Sequence, residues 1–183
     1  MKFVCQFLTL KIEVILRSAP QCEKLADKFH LVQDFLFMGR AIHYPIAMDG
    51  ALKLKEVSYI HAEGYPTGET KHGPLALIDE SLPVVVIATC DRRDAGSMLR
   101  YEKTVANIKG FKEQGGTVIA LATAGDENIA SIADHTIFIP QTIELLLPIL
   151  EIVPLQLFAY YMAVRRGLDV DRPRNLVKSV QVE

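Results

Sequence analysis

The chain has 183 residues, 50% of them hydrophobic and 23% charged, with 20 basic against 22 acidic side chains and a formal net charge of -2. That much apolar surface can meet the ordering entropy of one compact domain, which excludes a disordered tail or a fibrous repeat. The near-neutral balance provides no global attraction to phosphate backbones or anionic lipid, so no nucleic acid and no membrane partner is expected, and any anion must be recognised by a local site.

Taken in chain order, the start is a short apolar run, Phe3 to Leu10, behind Met1-Lys2. Lys11 and Glu13 follow closely and no small-x-small cleavage site appears, so the run reads as an amphipathic helix rather than a leader. Leu8, Ile12, Ile15 and Leu16 share one face at helical spacing. A second helix is expected over Cys22 to Leu31, where Leu25 and Phe29 stand four apart.

The pattern then changes to short β-branched or aromatic runs: Phe35 to Met38, Val84 to Ala88, Val118 to Ala122 and Thr136 to Ile139. Each has the length of a strand buried on both faces. Between them lie helix-compatible segments, Tyr44 to Tyr59, Arg93 to Gln114, Asn128 to Ala133 and Ile143 to Arg166. This alternation predicts an α/β fold, a three-layer sandwich in which helices cover both faces of a parallel sheet and ligands gather at the strands' carboxyl ends. The most apolar stretch, Leu145 to Val164, is interrupted by Pro148, Glu151, Pro154 and Gln156 and therefore reads as a buried helix, not a membrane span.

His61 to Pro83 is the longest irregular stretch, with Gly64, Pro66, Gly68, Gly73 and Pro74 setting its turns. Loops of that length inside a compact domain are more often functional than accidental. The last fifteen residues, Asp169 to Glu183, show little core-forming pattern and read on their own as a surface tail.

Cys5, Cys22 and Cys90 are odd in number and scattered, with neither a disulfide framework nor zinc-like spacing. A cytoplasmic chain with inert or buried thiols is expected. No two of the five histidines stand at i, i+4, and neither a dinucleotide fingerprint nor a P-loop occurs, so the chain is expected to need no metal and no cofactor. Asp49, Lys53 and Glu56 stand at i, i+4 and i+7 on one predicted helix face. The ordinary outcome of such spacing is a solvated stripe of ion pairs, with Asp49 and Lys53 in the favourable order. The alternative is a base and a charge-stabilising cation held on a rigid element beside the first strand's carboxyl end. His72, followed by Gly73-Pro74, is either a surface turn residue or a loop histidine able to move protons near neutral pH. Lys178 is unremarkable by composition.

Several spaced motifs in order then carry a resemblance. They are Met38-Gly39-Arg40, Tyr44-Pro45-Ile46-Ala47, Gly50-Ala51-Leu52-Lys53-Leu54-Lys55-Glu56, Lys71-His72-Gly73-Pro74 and the ending Arg172-Pro173-Arg174-Asn175-Leu176-Val177-Lys178-Ser179-Val180. From about Asp34 to Glu183 the chain resembles the C-terminal isomerase half of the glutamine:fructose-6-phosphate amidotransferases. Those proteins join a glutaminase domain to two sugar isomerase (SIS) domains and make glucosamine 6-phosphate from fructose 6-phosphate and ammonia. The resemblance implies a flavodoxin-like SIS domain over 32–168, preceded by a helical segment, 1–31, packing on it, and followed by an active-site tail, 169–183.

It also implies roles. Glu56 would shuttle a proton between C1 and C2 of the sugar. Lys53 would steady developing negative charge at the hydroxyls, and Lys178 would form a Schiff base with the open-chain ketose. His72 would open the sugar ring from a neighbouring subunit, which implies a homodimer. Asp49, Gly39 and Arg40 would bind substrate, although Asp49 stands where members commonly carry glutamate, one methylene longer. A glutaminase domain and another SIS domain, whose serine- and threonine-rich loops hold the sugar phosphate in the family, would be expected upstream. The other readings are a sugar-phosphate-binding SIS module without turnover and a related SIS enzyme acting on fructosamine phosphates.

Overall fold

In the computed structural model, residues 2–176 are described. Helices α1 (Lys2–Leu16) and α2 (Ala19–Phe29) lead into β1 (Asp34–Gly39), α3 (His43–Ser58), β2 (His61–Pro66), β3 (Pro83–Ala88), α4 (Ala95–Glu113), β4 (Thr117–Thr123), α5 (Glu127–Ile132), β5 (His135–Ile139) and α6 (Leu147–Arg165). The strands lie in the order β2-β1-β3-β4-β5, and every pairing is parallel. The expected three-layer α/β sandwich is therefore what the chain forms.

Strand alternation divides the core into two. Phe35, Phe37, Val85, Ile87, Ile119 and Leu121 point to one face, where α2, α3 and α6 supply Leu25, Phe29, Leu54, Leu155 and Phe158. Leu36, Met38, Val84, Val86 and Val118 point to the other, against Ile108 and Phe111 of α4 and Ile129 of α5. Phe35 is the aromatic centre of the first cluster, edge-on to Phe29 at 6.2 Å and to Phe158 at 5.8 Å. Such contacts add about 1 kcal/mol to the area that they bury. Asp94 and Asp126 cap α4 and α5 by accepting from the backbone N–H of Ser97 and Ile129.

By length and composition α6 could cross a membrane. In this fold it is a core helix, packed on α2 and α3, with Leu147, Leu150, Leu155, Phe158 and Met162 buried. On α1, Ile15 is buried and Leu8 and Ile12 pack against the core, but Leu16 is exposed, so its place on the apolar face is corrected.

The stretch expected to be irregular from His61 begins instead with β2, which pairs with β1 from Asp34↔His61 to Gly39↔Pro66. An edge strand with one neighbour does not need the doubly apolar pattern of the central strands, and Gly64 and Pro66 disguise it. Two 3₁₀ turns follow, Thr67–His72 and Pro74–Leu77.

Candidate active site

Because β1 and β2 are parallel, α3 runs back between them. It starts beside the carboxyl end of β1 and finishes at Ser58, just before β2 sets out from the amino edge. Lys53 and Glu56 thus lie in the half of α3 nearer the amino edge. The expectation that they stand beside the first strand's carboxyl end is corrected: at 1.5 Å per residue, Glu56 is about 20 Å along the axis from His43. Lys53 Nζ lies 2.6 Å from Glu56 Oε2, with both side chains about two-thirds buried. Lys53 chooses this i+3 partner over Asp49, with which no ion pair forms among the described residues.

Beside Lys53, α3, α6 and the start of the tail enclose a hollow of about 290 Å³ lined by Lys53, Val57, Gln156, Tyr160, Val170 and Asp171. That is near the lower size for a small-ligand site. The tail is tied down just beyond Glu56. Tyr59 closes α3 in a left-handed conformation, φ 60°, and its N–H donates to Lys55 O. A tyrosine there costs about 1 kcal/mol relative to glycine, and it turns its ring towards the tail. The Arg174 guanidinium lies 4.1 Å over that ring, and Arg174 N–H donates to Tyr59 Oη at 2.8 Å. Lys178 itself lies outside the described residues.

The other expected site residues are not gathered here. His72 is exposed at the end of the first 3₁₀ turn, its Nε2 3.8 Å from Glu69 Oε2, and touches neither Lys53 nor Glu56. Asp49 is half-buried on α3. Gly39 and Arg40 sit at the carboxyl end of β1, far from Glu56. Gly39 has a packing reason of its own: a Cβ there would come within 2.3 Å of His43 O in the tight turn into α3.

Sequence reasoning missed a buried polar group at that same turn. Glu151, in the middle of α6, is fully buried. Its Oε1 accepts from the Thr89 hydroxyl and lies 2.8 Å from His43 Nδ1. The His43 contact is close but misaligned, so His43 Nδ1 and Glu151 Oε2 both lack a hydrogen-bond partner. The only sequence signal was a carboxylate interrupting an apolar helix. The Cys90 thiol, buried at the end of β3, has its pKa raised chiefly by that burial, as does Cys22, whose thiol is pushed up to about 11. Neither is a poised nucleophile.

A parallel sheet ordered 2-1-3-4-5, with an acid–base pair beside a small hollow, is the framework of a sugar isomerase domain. The SIS domain family matches residues 32–166, and the chain belongs to that family. Among its relatives, the glutamine–fructose-6-phosphate aminotransferase (isomerizing) of Thermus thermophilus is 55% identical over 172 residues, and that of Aquifex aeolicus is 50% identical. Each alignment covers 94% of this chain but only 27% and 28% of the relative, so the chain spans little more than a quarter of their length. The C-terminal domain of glucosamine-fructose-6-phosphate aminotransferase from Francisella tularensis superposes with a TM-score of 0.80 at 32% identity, over 91% of this chain and 45% of that one. A putative tagatose-6-phosphate ketose/aldose isomerase from Clostridium novyi shares the fold, with a TM-score of 0.81 at 20% identity over 96% of this chain and 47% of that one.

Proposed function

We propose that this chain is the isomerase domain of a glutamine:fructose-6-phosphate aminotransferase, converting fructose 6-phosphate and ammonia to glucosamine 6-phosphate. The observation that carries the reading is the Lys53–Glu56 contact at 2.6 Å beside a hollow that the C-terminal tail helps to enclose. A carboxylate and an ammonium that close can serve adjacent atoms of one substrate. Glu56 takes the proton from one carbon and returns it to its neighbour, while Lys53 offsets the negative charge that builds on the adjoining oxygen.

The tail fits the remaining step. Arg174 is held against Tyr59, three residues beyond Glu56, and Lys178 is four residues further along the chain. Its amine would condense with the C2 carbonyl of the open-chain ketose, forming an imine and releasing water. His72 would act in ring opening on the sugar held by a second copy, which makes the working unit a homodimer. Asp49 would support substrate one turn from Lys53, and Gly39 and Arg40, at the opposite end of α3, would take a binding part on a sugar other than the one at Glu56. Residues 1–31 would brace the SIS domain over 32–168, and 169–183 would be its active-site tail. The whole enzyme would include upstream SIS and glutaminase domains, consistent with the fraction of the relatives that this chain spans. Two free, buried thiols suit a cytoplasmic setting.

Borohydride trapping tests the reading. With fructose 6-phosphate and the upstream domains supplied, a covalent hexose phosphate adduct at Lys178 is expected, absent in Lys178→Arg. Sugar binding with no adduct and no solvent-proton exchange at C1 or C2 would instead make the chain a binding module.

A further inference from the structure

The carboxyl edge of β1 and β2 carries hydrogen-bonding capacity that the protein does not use. Arg40 follows β1 and is partly buried, yet among the described residues it forms no ion pair with a carboxylate. One donor is spent on protein, Nη2 to Asn107 Oδ1 at 3.0 Å, and its Nε is buried without a partner. Across from it runs the turn after β2. Thr67 is fully buried and its hydroxyl has no partner. Thr70, also buried, donates to Thr67 O at 3.2 Å and accepts from Asn107 Nδ2 at 3.4 Å, so the guanidinium, the amide and the turn form one connected group. Gly68 lies between these threonines. A Cβ there would come within 3.3 Å of Arg40 Nη1, and its absence keeps that side of the guanidinium clear. Asn107 and Thr70 also face a hollow of about 270 Å³, lined on the same side by Lys71.

A partly desolvated guanidinium without a counter-charge and an orphan buried hydroxyl are each costly, and one ligand would relieve both. That ligand must be an acceptor, must be anionic and must present several oxygens to donors arriving from different directions. We propose that Arg40, Thr67, Thr70 and Asn107 form an oxyanion site for a phosphate group, separate from the Lys53–Glu56 pair and at the opposite end of α3. The planar fork of Arg40 would supply the charge-assisted bonds, and the Thr67 hydroxyl and the second Asn107 amide N–H the remaining donors, while Thr70, whose own hydroxyl is spent on Thr67 O, holds the turn against that amide. Glu69 and Glu113 are the nearby carboxylates that oppose an anion. Glu69 is turned to His72, and Glu113 is among the residues that line the hollow. A hexose phosphate is much shorter than the run of α3 between Arg40 and Glu56. One sugar therefore cannot reach both within one subunit, and the site holds either a free phosphate or the phosphoryl group of a second sugar phosphate.

The test is a titration of the whole chain, labelled with nitrogen-15, reading the arginine Nε–H resonances. Inorganic phosphate is one arm and fructose 6-phosphate the other, with sodium chloride at matched ionic strength as control. Saturable displacement of the Arg40 Nε–H signal by phosphate is expected, weakened about tenfold or more in Arg40→Gln, as the loss of a charged hydrogen bond predicts, and unchanged in Glu56→Gln. Thr67→Val keeps the shape and removes only the hydroxyl. It should weaken phosphate several-fold, and it decides the matter if Arg40→Gln does not fold. Saturation by phosphate alone assigns the site to the free anion, and saturation by both assigns it to the phosphoryl group; either outcome supports the site. A shift matched by chloride, or phosphate affinity indifferent to both variants, overturns it. Because Glu56→Gln leaves this readout alone, failure here is distinct from failure of the isomerase reading.

Discussion

The two ends of α3 are built by opposite rules. At its start, His43 is 3% exposed and clamped against the fully buried Glu151, while Gly39 lets the preceding strand approach without room for a Cβ. Ten to thirteen residues later, Lys53 and Glu56 stand about a third exposed, next to a hollow shared with α6 and the start of the tail. One end is a fixed anchor with little freedom to exchange protons. The other is open to solvent and, on the isomerase reading, would borrow its rigidity from the anchor. A helix held at one end can present reactive groups at the other with their spacing intact, which is what positional catalysis needs.

The sharpest way to break this contrast is at the open end. Glu56→Gln preserves shape and removes the base, so solvent-proton exchange into the sugar should fall about a thousandfold with no change in melting temperature. An unaltered exchange rate would move the chemistry elsewhere on the fold.

At the anchored end the expected effect is on stability. Glu151→Ala leaves Thr89 without its acceptor and His43 beside an empty space, and should cost about 3 kcal/mol in denaturant unfolding, whereas Glu151→Leu, which fills the space and drops the orphan oxygen, should cost far less. Equal losses in the two variants would mean that the carboxylate, not the volume it fills, holds the anchor.

A smaller effect is expected where the tail meets Tyr59. Arg174→Ala removes the cation from the ring and should lower stability by no more than about 1 kcal/mol while raising proteolytic cleavage after residue 168. The least is expected from Asp91, next to the anchor at the end of β3. The Arg93 backbone N–H, donating to its carboxylate at 3.1 Å, holds that carboxyl below the usual carboxylate range, against a weaker opposing effect of burial. Its contribution is present above about pH 4 and is lost as pH falls through the lower folded value. Asp91→Asn should therefore flatten the acid limb by lowering stability slightly at neutral pH while leaving it unchanged at the acid extreme.

The central strands and the long helices were legible because burial on both faces writes continuous apolar runs, and the Lys53–Glu56 pair because i, i+3 spacing brings side chains together on any helix. Helix ends were read within one to four residues, the widest gap being at α6, where Ile143 opens a 3₁₀ turn instead of the helix. β2 escaped because an edge strand can carry Gly64 and Pro66. The place of Lys53 and Glu56 along the sheet was reversed because periodicity fixes the face of a helix but not which end of it a residue occupies. Contacts such as Arg174 on Tyr59, Glu151 on His43 and Arg40 on Asn107 join residues 67 to 115 apart and leave no local trace.

The chain contains no tryptophan. Tyr59 ends the helix that bears Glu56 and is the ring on which the tail rests. An indole installed there would be the sole long-wavelength emitter in the molecule, quenched or shifted by Arg174 and the backbone beside it. Its emission would report whether Arg174 rests on that ring, with no attached dye.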